Sequence, residues 1–179
     1  MSKKLKDLLS TSLYLLIVLA LTFLIVTYVG QRTKVIGSSM EPMLMDGDNL
    51  IVDKLSYRFE DPRRYDIIVF PFRYAERTYY IKRIIGLPGE TVYIDEEGNI
   101  FIDGELLAES YGKEVITDPG RAYEPVTLGD DEYFVMGDNR NNSSDSRDPV
   151  VGNIHRDEFI GKAWMRIWPL KKMGMIRHQ

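Results

Sequence analysis

The stretch LLSTSLYLLIVLALTFLIVTYVG, residues 8–30, decides how this chain is organised. It carries no charged side chain, and Leu, Ile, Val and Phe dominate its composition. As a helix of about 23 residues it would be roughly 35 Å long, which is enough to cross a hydrocarbon core of about 30 Å with some tilt. An uncharged run of more than ~18 residues favours a membrane span over a buried core helix. The sequence therefore predicts one transmembrane helix at residues 8–30.

A cleaved secretory signal is the main alternative for this segment. The apolar region of such a signal spans only about 7–15 residues and ends in a small-x-small cleavage site. Here the apolar run is longer and ends in TYVG, without an Ala-x-Ala pattern. We therefore interpret residues 8–30 as an anchor that stays attached.

The orientation of the anchor is predicted from its flanks. Three lysines precede it, whereas Arg32 and Lys34 follow it. Basic residues are retained on the cytoplasmic side of a membrane, and a short tail is easier to retain there than a folded domain. We expect residues 1–7 in the cytoplasm and residues 31–179 outside it.

Beyond residue 30, short apolar runs alternate with turn-forming residues, which is typical of a β domain. MDGD, GLPGE, DEEGN, IDGE and TDPGR give recurrent turn signals, and no segment keeps the 3.6-residue period of a long helix. TVYIDEEGNIFIDGE predicts a hairpin with Glu97, Gly98 and Asn99 at its tip. We predict an all-β soluble domain, a sandwich or partly open barrel, with a smaller β insertion at about residues 87–131. The predicted strands are residues 34–36, 49–53, 66–72, 78–85, 91–94, 99–102, 132–136 and 159–168.

Composition excludes several classes of function. The chain is 44% hydrophobic and 28% charged, which is ordinary for a globular protein, and its net charge of -4 indicates no basic face for nucleic acid. Cysteine is absent, so a thiol nucleophile, a disulfide or a thiolate metal site is impossible. The two histidines, His155 and His178, are too few for a histidine-rich metal site. We expect neither a metal nor a nucleic-acid partner.

Two short segments contain candidates for catalysis. GSSMEP, residues 37–42, is a turn with adjacent serines, and alone it is a weak signal. In the predicted strand YYIKRII, Lys82 shares one face with Tyr80 and Ile84. A lysine on an apolar face either extends its amine to solvent or acts as a base.

A buried lysine would have a specific chemical use. Free lysine has a pKa near 10.4, so only about 0.4% of it is neutral at pH 8. Burial penalises the ammonium form and can lower the pKa by several units. A neutral lysine within hydrogen-bond reach of a serine can then take the hydroxyl proton as the serine attacks.

A third segment, MGDNRNNSSDSRDP, is a dense polar run that directly follows an apolar strand. Such a run is most often a solvated loop. It can also supply hydroxyls and carboxylates to a site that a rigid sheet supports.

Together and in this order, the anchor and the boxes GSSMEPML, GDNLIVDK, RYDIIVF, YIKRIIGLPGE and GDNRNNSSDSR resemble the signature of bacterial type I signal peptidases. The resemblance covers nearly the whole chain. It implies a membrane-bound serine endopeptidase that removes signal peptides through an acyl-enzyme, without a metal or cofactor. It also implies signal-peptide-bearing preproteins and the lipid bilayer as partners.

The same resemblance implies roles for individual residues. Ser39, directly before Met40, matches the nucleophile, and Lys82 of YIKR matches the general base. Ser143 falls where the family places a hydroxyl that orients the lysine. Residues that match those holding the geometry of the site are Asp138, Asp145, Arg147 and, through an expected ion pair with Asp138, Arg83.

The chain departs from the family pattern at the oxyanion hole. Some members use a serine hydroxyl two positions before the nucleophile, and here that position is Gly37. The backbone N–H of Ser39 is the donor that remains identifiable from the sequence.

Three alternatives stay open. His155 could serve as the base of a Ser-His-Asp arrangement, which sequence order cannot exclude, although VGNIHRDEF favours a surface turn. A self-cleaving repressor-type protease shares the Ser-Lys chemistry but needs a DNA-binding domain where this chain has an anchor. An anchored β-rich binding or assembly module would have no catalytic activity.

Overall fold

The computed structural model describes residues 3–178, so that Met1 and Ser2 of the predicted tail, and Gln179, lie outside the described range. Helix α1 (Lys3–Leu24) continues into a π-helical segment (Ile25–Val29). Within the described residues, Lys6–Val29 is the one helix that is long and apolar enough to cross a membrane, and none of its apolar window is buried against protein. So large an uncovered apolar surface requires an apolar environment.

Antiparallel strands make up most of the remaining chain, which confirms the predicted all-β domain. Eight strands form one sheet in the order β1-β2-β11-β3-β4-β9-β10, with β12 paired to β11, and four form a second sheet in the order β7-β6-β5-β8. The strands are β1 (Gly30–Lys34), β2 (Asn49–Asp53), β3 (Ile67–Pro71), β4 (Tyr79–Gly86), β5 (Thr91–Ile94), β6 (Ile100–Ile102), β7 (Glu105–Leu106), β8 (Val126–Thr127), β9 (Glu132–Met136), β10 (Ile154–His155), β11 (Gly161–Trp168) and β12 (Gly174–Met175). Four short helical turns lie between strands, at Ser56–Arg58, Gly120–Tyr123, Arg156–Glu158 and Leu170–Lys172.

The small sheet is built around the predicted hairpin. Strands β5 and β6 pair with Tyr93 opposite Phe101, and Gly98 adopts a φ of 81° in the turn between them. One apolar cluster joins this sheet to the large one, because Val92 and Ile94 pack with Ile85 of β4 and Phe134 of β9. The four strands of the small sheet all lie between residues 91 and 127.

A second apolar cluster supports the loop between β1 and β2. Met40 and Leu44 of this loop are fully buried together with Leu50 of β2 and Ile67 of β3. Because Met40 is fixed in the core, the residue before it is held at the edge of the sheet.

The predicted strand at residues 34–36 is wrong, since β1 ends at Lys34 and begins at Gly30, within the predicted anchor. Its polar sequence GQRTK carries no strand signal. The strand is held by pairing with β2 and by two hydrogen bonds from Arg32 to Asn49 Oδ1. Ile36, in contrast, is 85% exposed. The sequence analysis also missed the two-residue strands β7, β8, β10 and β12.

Candidate active site

Ser39 lies in the loop between β1 and β2, beside the polar loop that follows β9. The backbone N–H of Asn139 donates to the carbonyl of Ser39 at 3.0 Å, and the Asn139 side chain donates to the carbonyl of Ser38 at 3.1 Å. With Met40 buried behind it, Ser39 is therefore held from both sides.

Lys82 reaches Ser39 from the middle of the large sheet. It lies on β4 opposite Ile68 of β3, and only 3% of it is exposed. Its Nζ is 2.8 Å from Ser39 Oγ, and it also donates to the carbonyl of Ile81 at 3.1 Å. The ring of Tyr80 lies 5.1 Å from Nζ on the same face of the strand. A lysine amine and a serine hydroxyl thus form a buried pair.

Burial changes the acidity of this amine. Removal from water lowers the pKa of Lys82 to about 8, against the opposing effect of the nearby Asp145 and Asp138 carboxylates, while Arg147 lowers the pKa further. At pH 8 about half of the amine is then neutral, which is roughly a hundredfold more than for a free lysine. Lys82 therefore has a pKa that suits a general base near neutral pH.

Arg83 points to the opposite face of β4. It is fully buried and forms a bidentate ion pair with Asp138, at 2.7 and 2.8 Å, in which both guanidinium donors are satisfied by carboxylate oxygens. Its guanidinium also lies 3.9 Å from the ring centre of Tyr111 and donates to the carbonyl of Tyr65. The pair joins β4 to the start of the polar loop.

Asp145 and Arg147 hold the polar loop from within. The buried Asp145 carboxylate accepts from the Gly137 backbone N–H at 3.0 Å and from Arg147 Nε at 2.9 Å. Arg147 in turn donates to the carbonyl of Arg140. Ser146 fixes the loop to β9, because its Oγ accepts from Val135 N–H at 2.9 Å.

The expected hydrogen bond between Ser143 and Lys82 is not formed. The hydroxyl of Ser143 is buried and has no hydrogen-bond partner among the described residues. Lys82 Nζ instead donates to Ser39 Oγ and to the Ile81 carbonyl. Ser143 nevertheless lies at the site, packed against Gly137.

The oxyanion donor expected from the sequence is accessible. In residues 3–178, the backbone N–H of Ser39 donates to no acceptor. Beside it, Asn142 Nδ2 donates to Ser38 Oγ at 2.8 Å. Asn139 and Asn142 were not predicted as site residues, although both belong to the GDNRNNSSDSR box.

Gly137 is a further residue that the sequence analysis missed. A Cβ at this position would lie 2.6 Å from Ser143 Cβ and would overlap both Ser143 Oγ and the carbonyl oxygen of Ser39. Only a glycine lets the polar loop pack this closely against the loop that carries Ser39.

We expect Gly137→Ala to lower peptide cleavage by about 10- to 100-fold, because a displacement of the serine on the order of 1 Å disturbs attack geometry. Rates of cleavage and the melting temperature would be measured together. Gly174→Ala is the matched control, since a Cβ there meets nothing within 4 Å. Unchanged rates in Gly137→Ala would contradict the close packing described here.

Neither histidine belongs to this site. His155 is partly exposed at the end of β10, where its Nδ1 lies 3.2 Å from Asp131 and its Nε2 lies 3.6 Å from Glu132. His178 lies half-buried against β3, and its Nδ1 accepts from the Ile67 backbone N–H at 3.0 Å. Desolvation lowers the pKa of His178 to about 4.

A cleft of about 530 Å³ opens beside the serine and the lysine. Residues 33–39 form one wall, and residues 77–82 form the other. Asn142 and Ser144 close the end of the cleft at the polar loop. The buried amine and the serine hydroxyl both line this opening, which places them within reach of an extended peptide.

Known proteins are similar to this sequence over most of its length. The family model described as "Signal peptidase, peptidase S26" matches residues 8–168. A probable signal peptidase I-2 from Synechocystis sp. is 41% identical over 155 residues, which cover 84% of this chain and 68% of the relative. Signal peptidase I P from Bacillus subtilis subsp. natto is 36% identical over 171 residues, which cover 92% of this chain and 89% of the relative.

Among solved structures, a signal peptidase I from Enterococcus faecalis V583 is similar, with 31% identity and a TM-score of 0.46, over 57% of this chain and 97% of that one. The family model and the two sequence relatives confirm the resemblance inferred from the ordered boxes. This chain belongs to the signal peptidase family, peptidase S26.

Proposed function

We propose that this protein is a serine endopeptidase that removes N-terminal signal peptides from exported preproteins, with Ser39 as nucleophile and Lys82 as general base. The observation that carries the proposal is the 2.8 Å contact between Ser39 Oγ and a buried lysine amine whose pKa is lowered to about 8. Membership of the peptidase S26 family supports the same reaction.

Acylation uses the neutral form of the amine. Lys82 Nζ takes the proton from Ser39 as Oγ bonds to the carbonyl carbon of the last signal-peptide residue. The negative charge that develops on the carbonyl oxygen is stabilised by the Ser39 backbone N–H. The Lys82 ammonium then protonates the leaving amine, the peptide C–N bond breaks, and an ester to Ser39 remains.

Deacylation repeats the same proton transfers with water. The neutral Lys82 amine takes a proton from a water molecule, whose oxygen attacks the ester carbonyl. The ammonium returns the proton to Ser39 Oγ as the ester bond breaks. Nucleophile and base are restored without a cofactor.

Four charged residues keep the Lys82 amine away from water and in position. Asp145, Arg147 and the Arg83–Asp138 pair fix the polar loop over Lys82. We retain Ser143 as the residue that orients the lysine. Its hydroxyl is buried without a partner, and the third N–H of a protonated Lys82 has no acceptor among the described residues, so pairing them would satisfy both groups.

The substrate is proposed to bind as an extended strand in the cleft. Residues 79–82 of β4 pair with β3 on one side, and none of the described strands pairs with their other edge. A peptide can add to such an edge through main-chain hydrogen bonds. By resemblance to the family, small residues, typically alanine, occupy the first and third positions before the cut.

We further propose that residues 8–30 anchor the protein in the membrane, with residues 1–7 in the cytoplasm and residues 31–179 outside, including a β insertion at about residues 87–131. The exposed apolar helix and the lysines before it support this orientation. Ser39 follows the anchor closely in sequence, so membrane-bound preproteins and enzyme share one surface. Such confinement raises their effective concentration.

The direct test is cleavage of a purified preprotein by the full-length protein in detergent. We expect Ser39→Ala to abolish cleavage, because Ser39 Oγ is the one hydroxyl in residues 3–178 that forms a hydrogen bond with the Lys82 amine. Ser38→Ala, which changes the adjacent serine, should retain most activity. Absence of cleavage by the wild-type protein would favour the non-catalytic binding module instead.

A further inference from the structure

Each wall of the substrate cleft carries one basic residue. One wall ends at Ser39 and the other ends at Lys82, the two residues of the catalytic pair. Lys34 lies five positions before Ser39, and Arg77 lies five positions before Lys82. Both basic residues line the cleft, so each wall has a cation at the same separation along the chain from the reacting atoms.

No opposite charge balances these cations within the cleft. Among the described residues that line it, none is Asp or Glu. Neither Lys34 nor Arg77 forms an ion pair with any other residue between positions 3 and 178. Three acidic residues adjoin the walls. Glu76 precedes Arg77 in the sequence, and Asp46 accepts from Gly37 N–H. The backbone carbonyl of Asp48 accepts from Val35 N–H, and its carboxylate is paired with Arg166. All three lie outside the lining of the cleft.

The backbones that carry the two cations are ordered. Lys34 is the last residue of β1 and pairs with Asn49 of β2. Arg77 adopts a left-handed φ of 58° in the turn between β3 and β4, which is closed by a 2.9 Å hydrogen bond from Phe72 N–H to the Thr78 carbonyl. Pairing in the sheet therefore sets the position of the Lys34 Cα atom, and the closed turn sets that of Arg77.

Strand geometry relates this end of the cleft to the substrate. Five residues of an extended chain span about 16 Å at roughly 3.3 Å per residue. A peptide whose scissile carbonyl lies at Ser39 Oγ, and which follows β4 toward Arg77, brings its fifth or sixth residue before the cut to Arg77. Lys34 lies in the opposite wall of the same cleft.

We propose that Lys34 and Arg77 form a specificity site that favours an acidic side chain, and disfavours a basic one, about five residues before the scissile bond. The proposal rests on the proposed function, because it assigns a substrate preference to the same cleft. Complementary charge at a partly exposed site changes affinity modestly, and salt weakens it. We expect each cation to contribute about a two- to fivefold preference.

The test uses signal-peptide substrates that differ only by Glu, Gln or Lys at one position, scanned over the fourth to seventh residues before the cut. The wild-type protein should cleave the Glu peptide about tenfold better than the Lys peptide at the optimal position, measured as kcat/KM at low salt. Addition of about 0.5 M NaCl should reduce this ratio toward one. The double variant Lys34→Glu/Arg77→Glu should reverse the preference.

The Gln peptide and a control variant separate the possible outcomes. Lys171 is exposed and lies outside the cleft, and Lys171→Glu changes the net charge as much as each single substitution in the double variant. This control should leave the ratio of kcat/KM for the Glu peptide to that for the Lys peptide unchanged. An identical ratio in the wild type and the double variant, or an equal loss on all three peptides, would overturn the proposal. Failure of the wild type to cleave even the Gln peptide would contradict the proposed peptidase function instead.

Discussion

Replacement of Lys82 by methionine will reduce signal-peptide cleavage by at least about 10³-fold while the fold is retained. Methionine has a similar length and suits the apolar surroundings of Tyr80, so it fills the space that the lysine stem occupies. It has no group that can accept the Ser39 proton. Burial of an amine is also unfavourable for folding, so the variant should be at least as stable as the wild type.

Cleavage rates and melting temperatures of matched variants would check this expectation. Lys113→Met removes a partly exposed lysine that pairs with Glu41, and should change the rate by less than about twofold. His155→Ala should likewise remain active, because that imidazole contacts Asp131 and Glu132 away from the cleft. If Lys82→Met cleaved the substrate at the wild-type rate, Lys82 would not be the base.

Arg83→Met will destabilise the protein by about 3–5 kcal/mol, since it leaves the Asp138 carboxylate buried without its counter-ion. Both side chains of this pair are at most 1% exposed. The variant also loses the guanidinium that lies over Tyr111. Denaturant or thermal unfolding of the β domain would measure the loss, and cleavage should fall with it because Asp138 begins the loop over Lys82.

Two further variants show whether the unpaired charge causes this loss. Arg83→Met combined with Asp138→Leu removes both charges and should recover part of the stability. Arg73→Met breaks an ion pair with Glu158 in which the arginine is 43% exposed, and should cost no more than about 1 kcal/mol. If Arg83→Met were as mild as Arg73→Met, the buried pair would not be the structural element described here.

Most of the fold could be predicted because its long strands carry their own signals. The β5–β6 hairpin follows from β-branched and aromatic residues around Gly98, and β4 follows from YYIKRII. Strand β1 could not be predicted in this way. Its sequence GQRTK has no apolar alternation, and its extended form comes from pairing with β2, which is a tertiary contact.

The pairing of Ser39 with Lys82 could be predicted from the sequence only through family resemblance. Ser39 and Lys82 are distant in the chain, and no local pattern brings their side chains together. The contacts that do so are between loops, such as Asn139 N–H to the Ser39 carbonyl and the close approach of Gly137 to Ser143. The presence of a glycine in a polar loop does not predict that approach. The sequence does not predict the rotamer of Ser143 either.

Titration of the Lys82 amine tests the central claim most directly. The full-length protein with ¹³C-labelled lysine in detergent micelles would give an NMR shift for each lysine Cε as a function of pH, and Lys82→Met would identify the resonance. We predict an apparent pKa of about 8 for Lys82, so that the amine is mostly neutral above that pH. A Lys82 resonance that titrates near 10.4, as an ordinary solvated lysine does, would contradict its role as the base.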